Sequence, residues 1–220
     1  MQSLTTIQAL AAGAVPLLFA VTIHEAAHGW LANRMGDPTA KRLGRLSLNP
    51  IRHVDPVGTL LVPAITFVLT GFIFGWARPV PIDASHFPHP RRGMALVALA
   101  GPAANLLMAL GWALLIRLAQ SLAGVPWIAD PLFAMGLMGV AFNVILAVLN
   151  LLPVPPLDGS HVLAGVLPRH MAAAYARLAP YGMIILMLAL VFGLLGPILK
   201  PLAGLAQQAI LAAAGLGGEY

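Results

Sequence analysis

The chain has no cysteine and little charge. The first absence excludes disulfides, thiol nucleophiles and thiolate metal sites, so any metal must be held by histidine and carboxylate. The second is sharper: 12 Lys and Arg and seven Asp and Glu make up 9% of 220 residues, where a soluble surface calls for about 25–35%. There is no basic run, no low-complexity tail and no long polar linker. The net charge of +5 is therefore not a nucleic-acid footprint, and no nucleic-acid partner is expected; the basic residues read as topology signals between hydrophobic spans. No period of 20–50 residues repeats, which weighs against transporters built from matched halves. What the chain has is apolar length. It is 60% hydrophobic with a mean hydropathy of +0.89, and several runs approach or exceed the roughly 20 residues that cross a bilayer. These features predict an all-α polytopic membrane protein.

Five apolar segments stand out: A, residues 7–31; B, 57–76; C, 94–118; D, 132–152; and E, 181–199, followed by an Ala-rich tail, 201–215, of a kind that lies along a membrane interface. Pro16 in A and Gly101-Pro102 in C are compatible with membrane helices, where neighbours satisfy freed backbone groups. Segment A is not read as a cleaved leader. It lacks a basic n-region, and its C-terminal half carries His24-Glu25-Ala26-Ala27-His28 in place of a small-residue cleavage site. The whole chain, 1–220, reads as one integral-membrane domain with a core of about 7–165 and a C-terminal helix and tail over 180–220.

Basic residues are unevenly placed. Arg34, Lys41, Arg42, Arg45 and Arg52 lie between A and B, Arg78, Arg91 and Arg92 between B and C, and Arg169 and Arg177 between D and E, with Lys200 after E. The N-terminus and the C–D connection, 119–131, have none. Cytosolic loops hold the excess of Lys and Arg, so the A–B, B–C and D–E connections are expected in the cytosol, and the N-terminus and the C–D loop outside. That holds only if B enters and leaves by one face. Pro63, Gly71, Gly75 and the Arg78-Pro79-Val80-Pro81 exit fit a re-entrant hairpin, which membrane proteins allow where irregular backbone is buried or lines a wet cavity. The expected fold is about four full transmembrane helices plus this hairpin.

His24 and His28 are four residues apart, so on a helix their rings share a face about one turn apart. That is the spacing of two nitrogen ligands to zinc. Glu25 stands beside them, placed to take a proton from a metal-bound water. Ionisable side chains near the bilayer centre cost roughly 2.5–3.5 kcal/mol on insertion scales, and a bound metal offsets that. A catalytic zinc takes three protein ligands and keeps one position open. The strongest candidate for the third is Asp158, in Asn150-Leu151-Leu152-Pro153-Val154-Pro155-Pro156-Leu157-Asp158-Gly159, where prolines unwind the end of D and Gly159 allows a tight turn. In isolation this stretch reads as a proline-rich loop with a capping Asp. It meets the histidines only if an even number of crossings separates the ends of A and D. With B re-entrant there are two crossings, so charge placement and ligand geometry call for the same exception.

These motifs resemble the site-2 proteases, the zinc intramembrane metalloproteases of peptidase family M50. The family patterns are His-Glu-x-x-His in one span and Asn-x-x-Pro-x-Pro-x-x-Asp-Gly near the end of another. Residues 24–28 and 150–159 match both, and Gly101-Pro102-Ala103-Ala104-Asn105 matches the family's Gly-Pro-x-x-Asn in an intervening helix. The resemblance covers about 20–165. It implies an endopeptidase that hydrolyses peptide bonds of transmembrane segments, with one zinc ion per chain on His24, His28 and Asp158 and with Glu25 as the general base on zinc-bound water. It implies Asn150, Pro153, Pro155 and Gly159 as substrate-contacting or site-shaping; Asn150 and Asn105 are the candidates to stabilise the oxyanion. It further implies single-span membrane-protein substrates (anti-sigma factors, membrane-tethered regulators or remnant signal peptides) in a bacterial or archaeal membrane, with the site opening to the cytosol. The sequence carries no PDZ or CBS module, which reads as a minimal form.

A substrate helix hides its amides in its own hydrogen bonds, so it must unwind and pair with an edge. Residues 44–50 and 74–81, flanking the hairpin, are the candidates for short β-like strands near the site. His53, His86, His89 and His170 read as solvated or headgroup-facing, His161 as near the site, Asp55 and Asp83 as turn or cap residues, and Asn143 as a hydrogen bond between helices. The rival reading is a transporter or channel with a His24, Glu25, His28 and Asp158 cation relay, which leaves the His-Glu-x-x-His spacing unexplained. A silent scaffold would leave the insertion cost of these four residues without an offset.

Overall fold

The computed structural model describes residues 6–53, 55–62, 65–66, 68 and 75–217. Among them are helices and turns and no strand. Helix α1, Thr6–Arg34, carries segment A through Pro16 without a break. After a single turn, α2 (Thr39–Arg42), come α3 (Pro90–Ser121) and α4 (Pro126–Asn150). Both open on proline, whose missing N–H has no intrahelical partner to lose there. Only residues 122–125 separate them. The connection is shorter than the 119–131 read from hydropathy because residues 126–131 form the first turns of α4. Helices α5 (Asp158–Val166) and α6 (Arg169–Ala176) are short, α7 (Gly182–Val191) is apolar throughout, and α8 (Gly196–Ala213) follows. Segment E is thus two helices. The chain turns between them at Gly193, whose φ of 69° lies in the left-handed region that favours glycine.

Helices α1, α3 and α4 pack on one another, α5 lies on α3, and α8 lies on α3 and α4. Ala109, Ala113 and Ile116 of α3 meet Val140 and Val144 of α4 and Leu211, Ala214 and Leu216 near the end of the chain. One side of 201–215 is thus packed on α3 and α4, while most of its residues stay exposed. Small side chains let helix backbones approach closely where lipid removes the hydrophobic drive to associate. Arg117, the one charged residue inside segment C, donates to the Ala214 carbonyl at 3.1 Å and so caps the C-terminus of α8. Outward positions are apolar as well: Leu107 is 72% exposed and Val191 62%, the pattern of helices whose solvent is lipid. Three helical stretches, Pro90–Ser121, Pro126–Asn150 and Arg169–Val191, are long and apolar enough to cross a membrane.

Much of segment B, including 63, 64 and 69–74, lies outside the described residues, and so does the expected hairpin itself. Its two ends are described, and they meet. The Trp76 N–H donates to the Gly58 carbonyl and the Arg78 N–H to the His53 carbonyl, both at 2.9 Å. Asp55 caps the entry turn, Pro56–Leu61, through the N–H groups of Val57 and Gly58. The short β-like strands expected over 44–50 and 74–81 do not occur among the described residues. Pro79 and Pro81 have no N–H to give a ladder. The carbonyls of Arg78 and Pro79 are taken by the Arg45 guanidinium instead of a partner strand.

Candidate metal centre

The centre is built from the middle of α1 outwards. His24 and His28 are buried, and each ring is fixed through its Nδ1 atom. His28 Nδ1 donates to the Val97 carbonyl of α3 at 2.7 Å. His24 Nδ1 donates to Asn105 Oδ1 at 2.5 Å. A carbonyl can only accept, so the protons sit on Nδ1 and both Nε2 atoms present bare lone pairs. Gly101 lets the rings lie against α3: a Cβ at this position would stand 2.4 Å from His28 Nε2 and 2.6 Å from His24 Nε2. Gly-Pro-x-x-Asn therefore has a local meaning. Its glycine makes room for two imidazoles, and its asparagine orients one of them.

Asp158 arrives from the far end of the chain. Helix α4 ends at Asn150, the proline-rich turn follows, and α5 begins at Asp158 itself, with Leu157 and not Asp158 in the N-cap position. Gly159 serves close approach, not the tight turn read from the sequence. Its φ is not positive, but a Cβ there would lie 2.2 Å from the Leu151 carbonyl oxygen. Two contacts hold this piece from outside. The Tyr175 hydroxyl donates to the Pro153 carbonyl at 2.9 Å. Arg91 of α3 donates to the Ala164 and Leu167 carbonyls at the C-terminus of α5, both at 2.5 Å, where a cation also meets the negative end of the helix dipole.

Asp158 Oδ2 then lies 3.2 Å from His24 Nε2 and 3.4 Å from His28 Nε2, and the two Nε2 atoms are 3.0 Å apart. His24, His28 and Asp158 are the one such group that could hold a metal ion among the described residues. Three observations fit them to zinc. Asp158 Oδ2 is buried with no hydrogen-bond partner, which is costly for a carboxylate unless a cation compensates. The facing atoms are all acceptors, mutually repulsive until a cation stands between them. Zinc bonds of about 2.0–2.1 Å in tetrahedral array keep neighbouring ligand atoms about 3.3 Å apart, and the three separations bracket that value.

Glu25, half-buried on α1, faces the extended strap of residues 75–83. Its Oε2 accepts the Val80 N–H at 3.1 Å. Arg45 pins the strap just before this point through the Arg78 and Pro79 carbonyls, at 2.8 and 3.3 Å, and also binds the Arg52 carbonyl. The far end is held by Asp37, which is fully buried. Its Oδ2 accepts the Asp83 N–H at 2.7 Å, and its Oδ1 accepts the Thr39 hydroxyl at 2.5 Å and the Thr39 N–H at 2.9 Å. Burial pushes this carboxyl up, but the hydrogen bonds outweigh it and hold Asp37 below the usual carboxylate range.

The remaining expectations divide. Asn105 has both amide protons committed, to the Ala20 carbonyl at 3.1 Å and to Asn143 Oδ1 at 2.9 Å. It orients His24 and has no proton left for an oxyanion. Asn150 donates to the Leu146 carbonyl one turn back at 3.0 Å. Pro153 is exposed and Pro155 buried. Asp55 and Asp83 cap turns, as expected. His53 does not face solvent: it is 1% exposed, with Nε2 donating to the Ser47 carbonyl at 2.8 Å. His86 lies 3.4 Å from Asp37 Oδ1, and His161 points outward from α5. Val80 and Arg45 lie in the two stretches expected near the site, but they act as the hydrogen-bond partners of Glu25 and of the strap and not as strands, and Arg91 was missed. One signal was available for Arg91, since a cation in the first turn of α3 opposes that helix's own dipole and so serves another element.

A helical, lipid-adapted chain carrying His, His and Asp around one point, with a glutamate beside them, is a membrane metalloprotein of the His-Glu-x-x-His class. Comparison with known proteins narrows this. The family model described as Peptidase family M50 matches residues 116–192. The chain is 36% identical over 202 residues to the "Putative zinc metalloprotease YwhC" of Bacillus subtilis, covering 90% of this chain and 88% of that protein. It is 33% identical over 178 residues to the "Putative zinc metalloprotease Rip2" of Mycolicibacterium smegmatis, covering 79% of this chain and 64% of that protein. No solved structure matches it. The chain belongs to peptidase family M50, the site-2 proteases, and is a zinc metalloendopeptidase of the membrane.

Proposed function

We propose that this protein is an intramembrane endopeptidase that cuts single-span membrane proteins, with one zinc ion per chain held by His24, His28 and Asp158. The observation that carries the proposal is the convergence of two lone-pair nitrogens and an orphaned carboxylate oxygen, 3.0–3.4 Å apart, from helices α1 and α5. When bound, the ion polarises a scissile carbonyl and acidifies a water. Glu25 takes the proton of the attacking water and later passes it to the leaving amine. With Oε2 held by Val80 N–H, the other carboxylate oxygen carries that proton. Asn150, at the end of α4, is the candidate to donate to the developing oxyanion.

The membrane arrangement follows the same reading. Four spans result if α1 crosses beside the three long apolar stretches. Segment B re-enters, supported by its ends meeting at Gly58 and Trp76. The site opens to the cytosol, supported by the basic connections on that side, and the membrane is bacterial, supported by the bacterial origin of both relatives. The substrate segment unwinds before the cut, and anti-sigma factors, membrane-tethered regulators and remnant signal peptides are the candidate classes.

The test uses the detergent-purified chain, with zinc stoichiometry measured on wild type and Glu25→Gln and cleavage followed on a panel of single-span membrane proteins. The expected result is about one zinc per chain in both and cleavage by wild type alone, with at least a 10²-fold loss in the variant. Equal cleavage by both would remove Glu25 from the mechanism, and absence of zinc from wild type would remove the metal reading.

A further inference from the structure

The hydrogen bonds of Asn143 go to Gly139 and Asn105 and not to the histidines or Asp158, yet it is fully buried in the apolar middle of α4. Its Nδ2 donates to the Gly139 carbonyl at 2.9 Å, and its Oδ1 accepts from Asn105 Nδ2 at 2.9 Å. Asn105 Oδ1 in turn accepts from His24 Nδ1 at 2.5 Å. A hydrogen-bond chain starting on a backbone carbonyl has a fixed direction, because that oxygen can only accept. Gly139 sets the orientation of the Asn143 amide, Asn143 sets that of Asn105, and Asn105 requires the His24 proton on Nδ1. The Ala20 carbonyl, accepting from the same Asn105 nitrogen at 3.1 Å, agrees with that direction.

We infer that Asn143 is a positioning residue for the metal centre: through Asn105 it fixes His24 in the tautomer whose Nε2 lone pair points at the ion. The inference rests on the zinc reading above and extends it to a residue two hydrogen bonds from the metal. In an apolar bundle the two amides have no water to turn to, so removing one leaves its partner with an unpaired donor. Asn105 is then held by the Ala20 carbonyl alone and fixes the His24 ring and its Nδ1–H less firmly. Groups that orient a metal-binding histidine are worth roughly 10–100-fold in metal affinity.

The experiment measures zinc affinity of the full chain in detergent by competition with a chromophoric chelator, for wild type, Asn143→Ala and Asn143→Asp, with folding checked by helicity and elution volume. Asn143→Ala is expected to bind zinc at least about tenfold more weakly than wild type. Asn143→Asp, neutral when buried, still accepts from Asn105 through its carbonyl oxygen and donates to Gly139 through its hydroxyl, and recovers most of the affinity. A second readout needs no variant: ring 15N shifts of metal-free wild type should show His24 protonated on Nδ1. Equal affinity of a folded Asn143→Ala protein overturns the inference while leaving the zinc reading intact, and so does a His24 proton on Nε2 in wild type. Failure of wild type itself to bind zinc removes the zinc reading.

Discussion

At Gly101 α1 and α3 fit closely, because both imidazoles occupy the space a side chain would need. Gly101→Ala is the cleanest probe of the metal centre. Alanine is the better helix former, so any loss of function comes from displaced rings and not from a weakened helix. The expected outcome is a roughly 10–100-fold loss of zinc affinity with helicity unchanged, and unchanged affinity would mean that the rings are held elsewhere. The convergence of His24, His28 and Asp158 was legible, since four-residue spacing encodes a shared helix face and the proline-rich stretch marks the second half of the group. The role of Asn105 was not. Whether an amide is free or committed depends on the Ala20 carbonyl and Asn143, on two other helices, and no spacing rule reaches them.

At the scale of elements, the strap over 75–83 shows why its pattern misled. An extended, proline-punctuated run reads as a strand, but its donors and acceptors go to Glu25, Asp37, His53 and Arg45 one at a time. Asp37 makes this anchorage sensitive to acid. Its folded pKa is depressed, so its stabilisation is complete above the ordinary carboxylate value and is lost as pH falls through the folded one. Asp37→Asn should lower stability at neutral pH by about 1.5–3 kcal/mol, the range for a hydrogen bond to a charged group. The gap to wild type in thermal unfolding midpoint should hold at neutral pH and narrow as pH falls below the ordinary carboxylate value. A gap independent of pH would mean the carboxylate charge contributes nothing. Segment E was misread for a related reason: hydropathy averages over Gly193, whose backbone conformation divides the run into α7 and α8.

For the whole molecule, the proposed sidedness of the loops rests on charge placement, and the absence of cysteine makes it directly measurable. Single cysteines at Ser85 and Ala123, both exposed, should react with a membrane-impermeant maleimide from opposite faces of the membrane, Ser85→Cys only after the inner face is opened. Labelling of both from one face would reject the proposed topology. The overall class was plain from composition alone. The order of packing was not, because the burial of the last helix against α3 and α4 is decided by small residues and by Arg117, which hydropathy scores as a flaw in its span.

The two imidazoles belong to α1, whereas the carboxylate that faces them opens α5, which is made only after α3 and α4. A nascent chain halted before that point holds only a partial, weak chelate. If the ion binds as proposed, its capture falls late in biogenesis, and a product truncated before Asp158 stays inert among the membrane proteins beside it.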